Sequence, residues 1–489
     1  MTNARFGIWL LPLGIGFIVL ATMNAAGYRY AASDQAFYIP AIVRHLEPAV
    51  YPRDAVLIDS QARLTVIDEA IAATVKTTGV SLPHVLVALY VATLLLLAGA
   101  AGRIGTLLFR SPWTVVALCA ALTLRHAIAK TGTNTLEGYF HPRQLAFALG
   151  LWAVAMFLRR RDLVWLALLA VAALVHSTTA IWFGIWLGAA AIVGRPSWRP
   201  ALLALAGLAA AAAGVMLWQG VLAERLVRMD PEWLAAIGEK DLFPLAWPAN
   251  VWLTNSVAIP IIVLCWRARA RAKLTVAGET PLVLGSMALV VVFLCWLPFN
   301  HARVALAVQL QLARVFWLLD VFGTMYLVWW LCESSPGRRP QIAAAALILL
   351  SLSRGLFSLF VQFPDRAIFT IEIRGDWRDA MAFAATTDPG SGWLADPVHA
   401  AKYGSSLRAA GRRDVLIEVL KDRAIAMYDR SIALRVGDRL RALEALPWDT
   451  PDGARALSRR YGLDYLVIDR ELDLPVAHRS GALFIYRLR

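Results

Sequence analysis

Charged residues are scarce in this sequence. They make up 17% of the 489 residues, against 59% hydrophobic residues, and the mean hydropathy is +0.59. This composition excludes a water-soluble globular protein of this size and indicates a polytopic membrane protein. The motifs of common soluble enzymes are missing too: there is no Walker loop, no G-x-S-x-G elbow, no H-E-x-x-H and no paired CxxC. The enzyme classes that depend on those motifs are therefore excluded.

Cysteine is also rare. Its four copies, Cys119, Cys265, Cys295 and Cys332, all lie inside apolar runs, so the sequence does not predict a disulfide framework. The chain contains no internal repeat and no low-complexity segment. Membrane transporters often carry internal repeats, so this absence argues against that class.

The sequence is instead dominated by long apolar runs. Runs of roughly 17–25 such residues are long enough to cross a bilayer as helices. They predict about eleven spans, near residues 6–27, 84–102, 113–127, 141–158, 163–176, 178–194, 200–220, 249–266, 281–298, 315–332 and 341–361. The first run lacks a small-residue cleavage site, which predicts a retained helix and not a signal peptide.

Basic residues indicate how these spans are oriented. With a cytoplasmic N-terminus, every proposed inner connection is short and basic, as the positive-inside rule expects. The residues concerned are Arg103, Arg110, Arg159–Arg161, Arg195, Arg199, Arg267, Arg269, Arg271, Lys273, Arg338 and Arg339. Much of the formal charge of +14 then reflects topology, and no nucleic-acid partner is expected. The odd number of spans places the C-terminus outside.

The predicted topology divides the chain into two domains. Residues 1–361 form a transmembrane domain with a long first outer loop at 28–83. Residues 362–489 read as a small soluble extracytoplasmic α/β domain. In this domain "GDWRDAMAFAATT" has helical apolar spacing, "SGWLADP" and "DYLVIDR" read as short buried strands, and "ALFIYRLR" reads as a terminal strand.

Cations and histidines recur at the predicted outer boundary of the membrane. The candidates for binding a lipid-linked phosphate are Arg125, His141, Arg143, His301, Arg303 and Arg314. Arginine forks bind phosphate through two parallel hydrogen bonds, and a phosphate on a lipid would lie at that depth. The alternative is that these arginines are interface anchors whose side chains extend to the headgroups.

Two charges lie deeper in the apolar runs. Asp320 and Arg354 are each roughly 8–11 Å below the outer surface at ~1.5 Å of rise per residue. Antiparallel neighbouring helices would allow the two to pair, which would lower the cost of each charge in lipid. The sequence therefore predicts a structural ion pair, with a proton or ion relay as the second interpretation.

The arrangement resembles the GT-C superfamily of integral-membrane glycosyltransferases. Three segments carry the resemblance: "SDQAFYIPAIVRHLEPAVYPRDAV" after the first span, and "LEGYFHPRQLAFALG" and "VQLQLARVFWLLD" at later outer boundaries. Members of that superfamily have a long first extracytoplasmic loop with an early acidic residue and often a soluble C-terminal domain. The resemblance implies transfer of a hexosyl or pentosyl group from a polyprenyl-phosphate donor to a glycan, lipid or protein acceptor, outside a bacterial-type cytoplasmic membrane.

The resemblance also implies roles for single residues. Asp34 matches the first-loop acid and would act as the catalytic base, with Asp54 as second choice and Glu47 or Glu137 in support. His141, Arg143, Arg303 or Arg314 would stabilise the leaving phosphate. Asp34 also fits an ordinary helix N-cap, since "SD" precedes an amphipathic run. Some members use a divalent cation; here no ligand set is visible, so no metal site is predicted.

Two other classes stay open on the sequence alone. One is a transporter, flippase or polymer-handling scaffold, and the other is a GT-C-like protein without activity whose outer domain binds glycan. Transporters place polar residues near the membrane midplane, whereas this chain concentrates them at one boundary. That distribution favours the enzyme.

Overall fold

The computed structural model describes residues 3–62, 65–220, 223–238 and 241–489, and most of them are helical. The helices of the first half are α1 (Asn3–Asn24), α2 (Gln35–Leu46), α3 (Ala55–Ala62), α4 (Ile67–Thr78), α5 (Leu82–Leu108), α6 (Pro112–Leu122), α7 (Pro142–Leu158), α8 (Asp162–Val175), α9 (Ser177–Gly194), α10 (Arg199–Gln219) and α11 (Pro231–Ile237). Those of the second half are α12 (Ala249–Ser256), α13 (Ala258–Arg271), α14 (Glu279–His301), α15 (Ala305–Gln309), α16 (Val315–Glu333), α17 (Pro340–Phe357), α18 (Gly375–Thr386), α19 (His399–Lys402), α20 (Leu407–Gly411), α21 (Val419–Ala426), α22 (Arg430–Ala445) and α23 (Pro451–Tyr461).

Strands are short and concentrated near the C-terminus. They are β1 (Tyr28–Arg29), β2 (Ala127–Ile128), β3 (Thr133–Asn134), β4 (Phe369–Thr370), β5 (Gly392–Ala395), β6 (Asp414–Val415), β7 (Tyr465–Ile468), β8 (Val476–Ser480) and β9 (Leu483–Arg487). β2 and β3 form an antiparallel hairpin. The last five strands form one mixed sheet in the order β6-β5-β7-β9-β8, in which β5, β6 and β7 run parallel.

Seven helices of the described chain are long and apolar enough to cross a membrane, as expected of a multi-pass membrane protein. They are Leu82–Leu108, Ser177–Gly194, Pro196–Gln219, Ala249–Arg271, Glu279–His301, Ala305–Glu333 and Pro340–Gln362. The remaining four predicted spans coincide with shorter apolar helices, Pro12–Asn24, Pro112–Leu122, Pro142–Leu158 and Asp162–Val175. Their uninterrupted apolar sequences favour helices because a helix satisfies its own backbone hydrogen bonds.

The chain divides into two compact units. The helical unit contains Met1–Tyr28, Leu89–Arg228 and Lys240–Ile368, and the sheet unit contains Arg29–Ala88, Met229–Glu239 and Phe369–Arg489. The domain division drawn from the sequence keeps residues 28–83 with the membrane helices. The compact units instead group almost all of that loop with the C-terminal sheet, because buried contacts join Asp54 of the loop to Arg408 and Asp414.

The sheet unit has a hydrophobic core on each face of its sheet. Side chains of β5 alternate between the two faces: Trp393 and Ala395 belong to a core with α18, and Leu394 belongs to a core with α23. This period of two is the normal consequence of a pleated strand covered on both sides. The predicted helix in "GDWRDAMAFAATT" and the three predicted strands are confirmed by α18, β5, β7 and β9.

Several charged side chains near helix ends in the helical unit form ion pairs with each other. Arg269 and Glu279 are both buried and form an ion pair at 2.6 Å, and the hydroxyl of Tyr326 donates to the same carboxylate at 3.1 Å. Arg195 pairs with Asp162 at 3.3 Å. Such pairing is needed because an isolated charge among apolar helices is costly.

Candidate functional site

Asp34 lies at the start of α2 in the sheet unit. The predicted helix start is confirmed, since α2 begins at Gln35 and Asp34 occupies the N-cap position. However, the Asp34 side chain makes no capping hydrogen bond. Its carboxylate instead accepts a hydrogen bond from Nζ of Lys421 at 2.5 Å, and the side chain is 26% exposed. Asp34 is therefore a partly exposed carboxylate that pairs with a cation and does not cap the helix.

The backbone before Asp34 is strained. Ala31 and Ser33 both have φ in the left-handed region, 58° and 52°, which residues with a side chain rarely adopt. The Gln35 side chain stabilises this turn because its Oε1 accepts a hydrogen bond from the backbone N–H of Ala31 at 2.8 Å. Strained backbone of this kind is found at many functional sites, and in the described chain it also occurs at Ala26, Tyr51 and Arg412.

Asp54, the second catalytic candidate, is fully buried in the sheet unit. Nε of Arg408 lies 2.9 Å from its Oδ2, Arg435 also pairs with it, and Arg439 lies 3.8 Å away. Burial alone would raise the pKa of Asp54, but the three guanidinium groups outweigh it and hold that pKa below its usual value. A carboxylate enclosed by arginines cannot reach a substrate hydroxyl. Asp54 therefore lies in the interior of the unit, and the structure argues against the catalytic role predicted for it.

The buried charges continue from Arg408 into α21. Both terminal nitrogens of Arg408 donate to Asp422, at 3.0 and 3.2 Å, and Glu418 lies 3.7 Å away. Arg408 and both of these acids are fully buried. Hydrogen bonds from the Ser406 hydroxyl and from the backbone of Arg408 also reach Glu418. This network fixes α21, the helix that carries Lys421.

Glu47, named above as a supporting acid, lies on the surface of the sheet unit. Its carboxylate accepts a hydrogen bond from Nη1 of Arg412 at 2.7 Å, and both side chains are about half exposed. An exposed pair of this kind contributes little to stability. The structure gives Glu47 no contact that would link it to Asp34.

The helical unit contains a cluster of histidines and arginines around the start of α7. Nη2 of Arg143 lies 3.0 Å from Oε1 of Glu137, and both side chains are buried. His141 caps α7 because its Nδ1 accepts a hydrogen bond from the backbone N–H of Arg143 at 3.0 Å. In a neutral imidazole this assigns the ring proton to Nε2. In the neutral ring, Nδ1 of His141 thus caps the helix, and Nε2 is a hydrogen-bond donor.

His176 belongs to the same cluster. The rings of His141 and His176 are 6.3 Å apart, and Nδ1 of His176 lies 3.0 Å from the hydroxyl of Thr179. Arg314, directly before α16, acts electrostatically on His176 together with His141 and Arg143. The sequence places these four residues in three separate segments, and the fold brings them together.

A hairpin and two aromatic residues support this cluster. Gln144 donates to the carbonyl of Thr135 at 3.0 Å, and Nε1 of Trp317 donates to the hydroxyl of the same threonine at 3.0 Å. Trp317 stacks on Phe147 with ring centroids 3.7 Å apart. These contacts connect α7, α16 and the segment after the β2–β3 hairpin. They therefore hold in place the helices next to which the cationic side chains of the cluster lie.

The other predicted phosphate ligands have different surroundings. Arg125 donates to Oδ1 of Asn134 at 3.2 Å. The guanidinium of Arg303 lies 5.9 Å from the ring centroid of Phe243, and His301 is exposed at the end of α14. The part of Arg125, His301 and Arg303 in binding phosphate stays a prediction from the sequence. His141, Arg143, His176 and Arg314 form the cluster described above.

The predicted ion pair between Asp320 and Arg354 is not formed among the described residues. Asp320 bonds Nδ1 of His126 at 2.9 Å, and Arg354 bonds the side-chain oxygen of Asn24 at 2.8 Å. Each charge thus has its own polar partner, which removes the reason to pair them. The other ring nitrogen of His126 lies 2.9 Å from the carbonyl oxygen of Ala121, so both ring nitrogens are used.

Sequence reasoning missed Lys421, Arg408, Arg435 and Arg439. All four lie in the C-terminal segment, far along the chain from their aspartate partners, and no local pattern distinguishes them from surface cations. Within the described residues, no three histidine, cysteine, aspartate or glutamate side chains are grouped so that they could hold a metal ion.

No protein-family model matches the chain, and no curated protein matches it.

Proposed function

We propose that the protein is a GT-C-type glycosyltransferase that moves a sugar from a polyprenyl-phosphate donor to an acceptor at the outer face of a cytoplasmic membrane. In this proposal the eleven apolar helices all span the membrane, with the N-terminus inside and the C-terminus outside. The sheet unit then lies outside, because it contains the first loop and the C-terminal segment.

The proposal depends mainly on the exposure, backbone position and partner of Asp34. It is a partly exposed carboxylate that occupies a helix N-cap position without capping the helix, follows a strained turn and is held by a lysine. A general base needs an accessible carboxylate in a fixed orientation. Asp34 meets this requirement, whereas the buried Asp54 does not.

The helical unit contains a cation cluster whose chemistry suits a phosphate. Arg143, Arg314 and the two histidines offer N–H donors that suit phosphate oxygens. Glu137 neutralises Arg143 in part, so the site suits a singly charged phosphodiester. Cations on the outer side are not explained by the positive-inside rule, which favours a ligand-binding role for them.

The proposed chemistry assigns each group one task. Asp34 takes the proton from an acceptor hydroxyl, and the hydroxyl oxygen forms a bond to the anomeric carbon of the donor sugar. The bond between that carbon and the phosphate oxygen breaks, and its electron pair stays on the phosphate. Cationic N–H donors are needed to stabilise the charge that develops on the phosphate.

The test compares Asp34→Asn with Asp59→Asn in purified protein supplied with undecaprenyl-phosphate-linked sugars. Asp59 is a matched control because it lies on the same loop, is 58% exposed and pairs with Arg44 on the surface. Loss of a general base should reduce transfer by about 100-fold or more, and Asp59→Asn should leave it unchanged.

Two results would contradict the proposal. Full transfer by Asp34→Asn would remove Asp34 from the mechanism. No transfer from any lipid-linked donor, together with movement of a lipid-linked sugar or a solute across vesicles containing the protein, would favour a transporter.

A further inference from the structure

Lys421 makes all of its described side-chain contacts with residues at the start of α2. Its Nζ lies 2.5 Å from Oδ1 of Asp34 and 3.2 Å from the hydroxyl of Ser33. The same atom lies 5.8 Å from the centroid of the Phe37 ring, within the range of a cation–π contact. Three different groups of one short segment therefore surround a single ammonium.

The helix that carries Lys421 is held in place by buried charges. Asp422, the next residue, bonds Arg408 through both carboxylate oxygens and also accepts the backbone N–H of Glu418 at 3.0 Å. Lys421 itself is only 17% exposed. The backbone that carries the ammonium is therefore already ordered when the ammonium binds Asp34, and the small exposure of Lys421 reduces the screening of the contact by water.

We propose that Lys421 is a positioning residue for Asp34, so that the C-terminal segment completes the catalytic site of the first loop. This inference rests on the proposed function, because it assigns Lys421 its task through the base. The cation orients the carboxylate and favours its ionised form, which is the form that accepts a proton. The sequence gives no sign of this role, since Lys421 lies 387 positions from Asp34.

The chemistry also explains why a lysine suits this position. Its ammonium is a compact charge that can contact the carboxylate, the Ser33 hydroxyl and the aromatic ring at once, whereas a guanidinium is planar and binds in two parallel directions. Lys421→Arg keeps the charge with poorer geometry, and Lys421→Met removes the charge while keeping most of the side-chain volume. Comparing the two variants therefore separates the effect of losing the charge from the effect of changing the packing.

The first measurement does not depend on enzymatic activity. Carbodiimide labels protonated carboxyl groups, and peptide mass spectrometry gives the extent of Asp34 labelling at each pH. Removal of a cation in direct contact should move the labelling midpoint of Asp34 upward by about one pH unit. We expect this shift in Lys421→Met, a smaller one in Lys421→Arg and none in the control Lys402→Met, whose ammonium pairs with Asp469 at 2.8 Å.

The second measurement is the pH profile of sugar transfer from an undecaprenyl-phosphate sugar. Lys421→Met should lower transfer about tenfold at neutral pH and more on the acid side, where the base becomes protonated. Lys421→Arg should recover most of the rate. The thermal unfolding midpoint shows that each variant is folded, and Lys402→Met should follow the wild type.

The outcomes separate the two proposals. An unchanged labelling midpoint in folded Lys421→Met, or a uniform loss of rate with an unchanged pH profile, would overturn the role of Lys421 alone. A wild-type protein that transfers no sugar would overturn the proposed function, and with it the catalytic meaning of the pair, even where the labelling shift confirms the contact.

Discussion

Nε of Arg408 donates a hydrogen bond to Oδ2 of Asp54 across 354 positions of sequence, at 2.9 Å and with both side chains buried. The same segments also meet at other points. The backbone N–H groups of Arg53 and Asp54 donate to the carboxylate of Asp414 at 3.0 and 2.9 Å, and the Tyr51 hydroxyl donates to the carbonyl of Arg408 at 2.7 Å. The first loop and the C-terminal segment thus form one folded unit.

Arg408→Met should destabilise the sheet unit strongly. It would leave Asp54, Glu418 and Asp422 buried with reduced compensation, and breaking a buried ion pair by removing one partner costs about 3–5 kcal/mol. Thermal unfolding and limited proteolysis of the sheet unit in detergent would measure the loss. Cleavage should appear in both the first loop and the C-terminal segment, because they unfold together.

Arg460→Met is the control for that experiment. Arg460 pairs with Asp438 at 2.6 Å, but both side chains are about half exposed, so the change should cost no more than about 1 kcal/mol. Equal unfolding temperatures for the two variants would contradict the structural role assigned to the buried network.

Glu418 should make the sheet unit sensitive to acid. Burial alone would raise the pKa of Glu418, but Arg408 and hydrogen bonds from His399 and Ser406 lower it from 4.5 to about 2. Because the folded value lies below the unfolded one, the ionised carboxylate contributes stability that is fully present above about pH 4.5 and is lost as the pH falls toward 2. The contribution is on the order of 3 kcal/mol.

The measurement is the free energy or temperature of unfolding between pH 7 and pH 2. Glu418→Gln should be less stable than the wild type at neutral pH and should lose less stability on acidification. Parallel curves for the two proteins would show that Glu418 does not carry this pH dependence.

Local patterns were enough to predict much of the fold. The apolar runs predicted apolar helices, and seven of those in the described chain are long enough to cross a membrane. The segments "GWLA" and "YLVI" predicted strands that are buried on both faces. β8 was missed because Val476–Ser480 is largely polar and exposed at the sheet edge. β6 was missed because it contains only two residues, too few to show a period.

The site was harder to predict than the fold. The dipeptide before α2 correctly indicated a helix start at Asp34. The side chain does not cap the helix because the backbone of Asp34 is helical, with φ −70° and ψ −9°, whereas a capping residue is usually extended; its partner Lys421 is brought near only by the fold. Asp54 was a plausible catalytic residue by its place in the loop, and only burial against Arg408 excludes it. Such pairings depend on the tertiary structure, and local patterns in a single sequence do not indicate which distant residues will meet.

Gly138 should tolerate no side chain. A Cβ there would lie 2.5 Å from the carbonyl oxygen of Gly27 and 2.9 Å from that of Ala25, and backbone atoms cannot move aside easily. Gly138→Ala should therefore cost about 1–3 kcal/mol and disturb the adjacent Glu137–Arg143 pair. Gly102→Ala is the control, because a Cβ at that helical position meets nothing within 4 Å and should leave the thermal unfolding midpoint unchanged or slightly raised.

Arg314 should contribute to binding a lipid phosphate. It acts on His176 together with Arg143 and His141, and a charge-assisted hydrogen bond to phosphate is worth about 1.5–3 kcal/mol. Arg314→Met should therefore weaken binding of a short-chain polyprenyl monophosphate by roughly 10–100-fold and reduce the dependence of that binding on salt. Titration by fluorescence or by isotope-labelled ligand in nanodiscs would give both values.

Lys130→Met distinguishes specific binding from general attraction to a basic surface. Lys130 belongs to the same helical unit, but its ammonium pairs with Asp241 at 2.8 Å, so its charge is already compensated. We expect binding within about twofold of the wild type, which corresponds to less than about 0.5 kcal/mol. Equal weakening by Lys130→Met and Arg314→Met would mean that the phosphate responds only to net charge. Unchanged binding by Arg314→Met would remove this arginine from the phosphate site.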